Sequence, residues 1–132
     1  MKAPRHPAVA IGVLLLLSGC SGSSSGSGSF HTTGTVTATG AADQQTASLA
    51  MTDDLTFDPN VVEAKVGHLN LAIDNAGQVP HNLVFDDAAL GHTDTVRGHA
   101  TATLSLRLTK PGTYRFTCTF HSGMDGKVVV TG

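Results

Sequence analysis

Tyr114-Arg115-Phe116-Thr117-Cys118-Thr119-Phe120-His121-Ser122-Gly123-Met124-Asp125-Gly126-Lys127-Val128-Val129-Val130 is the stretch on which the reading of this chain turns. Tyr114, Phe116 and Cys118 alternate with Arg115 and Thr117, so in an extended strand all three fall on one face, the core face. Lys127 to Thr131 reads as a second strand. Between the two strands lies a loop that carries a thiol, an imidazole and a thioether at the spacing Cys-x-x-His-x-x-Met.

Soft sulfur ligands and imidazole together suit copper. A trigonal set of two histidines and one cysteine, with a weak axial methionine, is the ligand arrangement of blue-copper electron-transfer centres. One histidine is then missing from the loop. The best candidate is His81, in Asn75-Ala76-Gly77-Gln78-Val79-Pro80-His81-Asn82-Leu83-Val84-Phe85, which lies 37 residues before Cys118. It opens a predicted strand that a neighbouring strand of the same fold could bring to the cysteine loop, and a site held by a rigid scaffold needs little rearrangement when its metal changes oxidation state.

Further outward the pattern stays at period two, with short β-rich runs broken by turn residues, as expected of an all-β sandwich or barrel. The spacing predicts strands over Ser48 to Thr52, Val61 to Val66, Leu69 to Asn75, His81 to Phe85, Thr101 to Leu108, Thr113 to Cys118 and Lys127 to Thr131. Asp58-Pro59-Asn60, Val66-Gly67-His68, Asn75-Ala76-Gly77 and Lys110-Pro111-Gly112 supply turns. Asp86 to Gly98 is the one long irregular stretch, with a single helical turn expected over Asp86 to Leu90.

The chain has 132 residues, 14% of them charged, and a formal net charge of -2. That is room for one domain, and there is no basic footprint for gripping a nucleic acid. An apolar run, Ala8 to Leu17, follows Lys2 and Arg5. It is too short for a bilayer span, which needs about 20 residues, and fits the h-region of an export signal. Leu17-Ser18-Gly19-Cys20 resembles the lipobox of bacterial lipoproteins, which implies a signal peptide over 1–19 and a lipid on Cys20. Residues 20–46 then read as a Ser/Gly/Thr-rich tether and 47–132 as the folded domain. Thr35 to Thr39 could pass for a strand, but nothing in the sequence demands one. With Cys20 lipidated, Cys118 is left unpaired in an exported protein.

The region from about Leu49 to Thr131 resembles a cupredoxin, the plastocyanin, azurin and amicyanin family. The residues that carry the likeness are Phe57-Asp58-Pro59, Gly67, the Asn75 to Phe85 segment with Pro80-His81-Asn82, Lys110-Pro111-Gly112-Thr113-Tyr114, and the Cys-x-x-His-x-x-Met-x-Gly-x-Val-x-Val ending. The ligand loop is closest in length to that of amicyanin. The resemblance implies a Greek-key β-sandwich or barrel of about seven or eight strands and one copper per chain. It implies His81, Cys118 and His121 as strong equatorial ligands, Met124 as the long axial one, and Asn82 as the residue tying the two ligand segments together and helping to hold the thiolate. One departure is Phe120, where the family's short loops often carry proline. This bears on loop stiffness, not on ligand identity.

The expected function is a lipid-anchored, extracytoplasmic electron carrier, not an enzyme, cycling Cu(II) and Cu(I) as a monomer between redox donor and acceptor proteins. It would sit on the outer face of the cell membrane or the periplasmic side. A copper chaperone using the same ligands is the nearest rival. A thiol enzyme built on Cys118 would leave Met124 unexplained, and a copper oxidoreductase such as a nitrite reductase normally needs a second domain. His92 and His99, which flank a loop, read as solvated residues able at most to capture a second ion. Asp53, Asp54, Asp86 and Asp87 read as surface charge, since no calcium-loop spacing accompanies them.

Overall fold

Where apolar and polar residues alternate in the sequence, the computed structural model turns the alternation into two faces of a sheet. It describes residues 29–132. The signal run, Cys20 and the first part of the tether lie outside the described residues. Nine strands are formed there: β1 (Thr35–Thr37), β2 (Gln45–Met51), β3 (Phe57–Asp58), β4 (Val61–Lys65), β5 (Gly67–Asn75), β6 (Val84–Phe85), β7 (Thr101–Leu108), β8 (Gly112–Thr117) and β9 (Asp125–Thr131). One sheet has the order β1-β4-β9-β8-β6 and the other β3-β2-β5-β7. The all-β sandwich expected from the sequence is therefore the observed architecture.

The inward faces fill the space between the sheets. Leu69, Leu71 and Ile73 of β5 meet Leu49 and Met51 of β2 and Leu106 and Leu108 of β7, while Phe116, Val128 and Val130 come from the opposite sheet. Phe57 and Phe85 pack edge-on against Phe116, with ring centroids 5.0 and 5.4 Å away. Such pairs add to the transfer of apolar area from water, worth about 25 cal/mol per Å². Gly126 lets β9 pass directly over the Phe116 ring, because a Cβ there would collide with it and with the Asn60 carbonyl. The close approach fixes the start of β9, and with it the end of the ligand loop.

Three details depart from the sequence expectation. The segment read as tether holds β1, which pairs in parallel with β4, and the first sandwich strand opens at Gln45. The reason is a free sheet edge: Ala38 N–H donates to the Glu63 carbonyl at 2.7 Å, and Val36 and Ala38 pack against the core. Gln45 is buried, its amide bonded to the Lys65 backbone on both sides. Second, β3 is a two-residue strand too short to have a period. Third, the expected strand over His81 to Phe85 shrinks to Val84–Phe85. Ahead of it, His81 exchanges backbone bonds with Val96 (3.1 and 2.7 Å), and Leu83 bonds to both the Oγ1 and the N–H of Thr93. The irregular stretch after β6 thus folds back as a partner. Its 3-10 turn, Ala88–Leu90, is capped by Asp87.

Candidate metal centre

Strands β8 and β9 deliver one half of the site. β8 ends at Thr117, so Cys118 stands at its inner edge, buried and free. The Cys118 N–H donates to the Met124 carbonyl at 2.9 Å, and the Met124 N–H reaches the His121 carbonyl at 3.4 Å. These bonds close residues 118–124 into a compact turn, with Gly123 in the left-handed region at φ 80, where glycine is unstrained. Met124 is buried, His121 half-buried and Phe120 exposed.

The other half is His81, fully buried at the end of the 75–80 turn. Asn75 shapes this turn from beneath: its Nδ2 donates to the carbonyls of Val79 (2.7 Å) and Val96 (3.0 Å), and its Oδ1 accepts from Gly77 N–H. Asp53, from the β2–β3 connection, clasps it from outside by accepting from the N–H groups of Gln78 (2.8 Å) and Val79 (3.0 Å). Those two bonds, Val79 first, hold its carboxyl below the usual carboxylate range. Sequence reasoning took Asp53 for surface charge. No local signal marks its role, because its partners are backbone groups some 25 residues away.

Three donor atoms meet between these halves. His81 Nδ1 lies 3.2 Å from His121 Nδ1 and 3.9 Å from Cys118 Sγ, and His121 Nδ1 lies 3.5 Å from Sγ. A point in their plane equidistant from all three is about 2.1 Å from each, within the roughly 2.0–2.3 Å at which imidazole and thiolate hold a small cation. The donor set therefore fits a trigonal metal ion in size and chemistry. His81 is held below its usual pKa, by burial first and then by the neighbouring His121, with the Thr52 carbonyl and Asp53 opposing. A neutral ring is the form that binds metal. His81 Nε2 is buried and makes no hydrogen bond of good geometry.

Asn82 ties the halves together. Its Oδ1 accepts from the Thr119 N–H at 2.8 Å and from the Thr119 hydroxyl at 3.2 Å, and its Nδ2 faces Thr119 Oγ1 at 2.8 Å. The bonds thus reach the residue after the cysteine, not the thiol itself. The other sequence candidates stay outside. His92 and His99 join no group of three ligating side chains among the described residues. Cys20 lies beyond them. Among the described residues no helix is long and apolar enough to cross a membrane.

Comparison with known proteins adds an independent line. Residues 8–130 match the family model of the cupredoxin-like domain. The chain is similar to the chloroplastic plastocyanin of Hordeum vulgare, 43% identical in an alignment 86 positions long that covers 58% of this chain and 55% of that protein. It therefore spans about half the length of that relative. It is also similar to the plastocyanin of Ginkgo biloba, at 32% identity over 59% of this chain and 88% of that one. Among solved structures, the reduced Cu(I) form of an amicyanin mutant at pH 4 superposes with a TM-score of 0.54 at 26% identity, over 64% of this chain and 80% of the other.

Proposed function

The chain belongs to the cupredoxin-like domain family, and from that premise we propose that it is a mononuclear type 1 copper protein that carries single electrons outside the cytoplasm. His81, Cys118 and His121 would hold the copper, with Met124 as a weaker fourth ligand and one copper per chain. The observation that carries this reading is the triangle of two Nδ1 atoms and one Sγ, with sides of 3.2, 3.5 and 3.9 Å.

Copper held there would supply a one-electron Cu(II)/Cu(I) couple. The chain's own residues do the rest. Cys118 binds as thiolate, and burial among apolar side chains excludes water from it. The His81 main chain is anchored by its exchange with Val96, on a segment separate from the ligand loop. Asn82 holds the two segments at a fixed separation by bonding both the N–H and the hydroxyl of Thr119, the kind of support that sets ligand orientation and tunes a metal's potential. His121 is the one histidine ligand that is not fully buried, and with exposed Phe120 beside it, it forms the edge through which an electron passes to or from a redox partner. Cys20 carries the lipid that keeps the domain at the membrane surface, and the carrier works as a monomer between donor and acceptor proteins.

The visible spectrum of the purified protein on addition of Cu(II) tests the assignment. An intense thiolate-to-copper charge-transfer band that disappears in Cys118→Ser is expected. A colourless protein at one equivalent of Cu(II) would sink the reading.

A further inference from the structure

Asn60 stands immediately ahead of β4, buried, and its side-chain amide is shared between two segments far apart in the chain. Its Nδ2 donates to the carbonyls of His31 (2.8 Å) and Asp125 (3.3 Å), and its Oδ1 accepts from the Thr33 N–H (2.9 Å). These partners leave the amide one orientation, because a carbonyl only accepts and an N–H only donates. The Asn60 main chain is held on the same two sides. Its N–H donates to the Thr33 hydroxyl (3.1 Å), which in turn donates to the Phe57 carbonyl (2.7 Å), and its own carbonyl accepts from the Lys127 N–H (2.9 Å).

The β9 side of this node is the chain that follows Met124. Asp125 opens β9 and pairs with Thr117 of β8, the residue before Cys118. Toward β4, however, the ladder starts only at Val61 and Lys127, so Asp125 and Gly126 have no strand partner there. Asn60 takes that place, with its amide on the Asp125 carbonyl and its backbone carbonyl packed against Gly126. Residues 30–33 close over it from outside. Lys127 Nζ stands 4.4 Å from the centre of the Phe30 ring, and the Val61 N–H donates to the Gly34 carbonyl at 3.1 Å.

We propose that Asn60 is a positioning residue for Met124, and that residues 30–33, packed behind it, belong to the support of the metal centre: together they set how closely Met124 approaches the ion. The inference rests on Met124 being the copper's weaker fourth ligand. A thioether is held weakly by the metal and does not fix its own distance, so the backbone that carries it decides. Without the Asn60 amide, Asp125 is unheld on its β4 side and the end of the ligand loop can withdraw. The other donors are secured elsewhere, His81 by Val96 and the loop start by Asn82 through Thr119. Withdrawal of the thioether disfavours Cu(II), which takes more donors than Cu(I), and so raises the reduction potential.

The test compares three variants of the full chain, loaded with copper, against the native protein. Asn60→Ala removes the brace. Thr33→Val removes the hydroxyl that joins residues 30–33 to Asn60 but keeps the Thr33 N–H. Gln45→Ala removes another buried amide, bonded to the Lys65 backbone at the opposite end of β4, and so controls for lost stability alone. In Asn60→Ala the Cu(II) affinity, read by competition with a chelator, should fall about tenfold, the lower end of the loss that follows removal of a ligand-orienting partner. The Cu(I) affinity should fall less, so equilibration with a reference redox couple shows a raised potential. Thr33→Val should move both quantities in the same direction by a smaller amount, and Gln45→Ala should lower the melting midpoint with both at native values. Affinity and potential unchanged in Asn60→Ala, or displaced equally in Gln45→Ala, overturn the assignment. If Asn60→Ala does not fold, Thr33→Val at native potential overturns it. A native protein without a thiolate-to-copper band removes this inference together with the copper reading, whereas a native band with an indifferent Asn60→Ala removes this one alone.

Discussion

Replacing Asn82 by alanine separates what the protein contributes to the site from what the metal contributes. The change takes an acceptor from the Thr119 N–H and a 2.8 Å partner from the Thr119 hydroxyl. Each bond contributes about 0.5–1.5 kcal/mol net, and because the pair is exposed, water takes over part of it, so the metal-free protein loses about 1–2 kcal/mol. For a domain of about 100 residues that lowers the unfolding midpoint by roughly 5–10 °C. The loaded protein loses more. Asn82 sets the separation between the segment bearing His81 and the loop bearing Cys118 and His121, and loss of a ligand-orienting residue costs about 10–100-fold in metal affinity. By linkage the copper form gives up a further 1.4–2.8 kcal/mol or so.

Circular dichroism melts with and without copper, together with competition against a chelator, measure both quantities. The chain has no tryptophan, so intrinsic fluorescence is a poor probe. Asn82→Asp keeps an acceptor for both Thr119 donors and should recover most of the metal-free stability. If Asn82→Ala melts within about 1 °C of the native protein in the metal-free form and binds copper equally well, the two halves are not held by this tie and the reasoning fails.

Three further outcomes follow from the same geometry. Asp53 has a lowered folded pKa, so the stability it contributes is present above its ordinary value of 3.8 and lost as pH falls through the lowered one. The difference in melting midpoint between the native protein and Asp53→Asn should therefore be constant above about pH 5 and shrink below 3.8, and a pH-independent difference across that window would count against the clasp. Gly126→Ala forces the Phe116 ring out of the core and should cost about 1–3 kcal/mol in chemical unfolding; an unchanged midpoint would mean that β9 can shift freely. His121→Gly should slow electron exchange with a partner and recover it on addition of imidazole, and native rates without imidazole would locate the transfer edge elsewhere.

Most of the sandwich was legible because its strands bury one face each. Thr101 to Leu108 alternates with no exception and is the observed β7 to the residue. Where burial does not follow a period, the sequence allows an element without demanding it, or passes over it. β3 is two residues long, and β1 is an edge strand whose Thr-Val-Thr half-buries Val36 alone. Its existence is decided by the unpaired edge of β4, 26 residues further along, and no window around Thr35 contains that information. The same holds within the site. Two of the three clustered donors lie three residues apart and declare themselves by chemistry. Asp53, Asn60 and Thr119 act through backbone groups or short polar contacts with residues distant in sequence, and each resembles an ordinary loop residue until the fold is formed.

That division has a physical consequence. The residues that bind are local to one loop and one turn, but the residues that set the donor spacing come from three other places: Asn75 at the end of β5, Asp53 in the β2–β3 connection and Asn82 after the turn. Each engages backbone N–H or C=O groups, which cannot be relieved by a side-chain rotation. A change of charge at the centre therefore pushes against bonds fixed to both sheets rather than against one flexible loop. Resistance of this kind keeps a constellation close to one geometry, and a carrier that gains and loses an electron at the same donors depends on it more than on the strength of any single ligand.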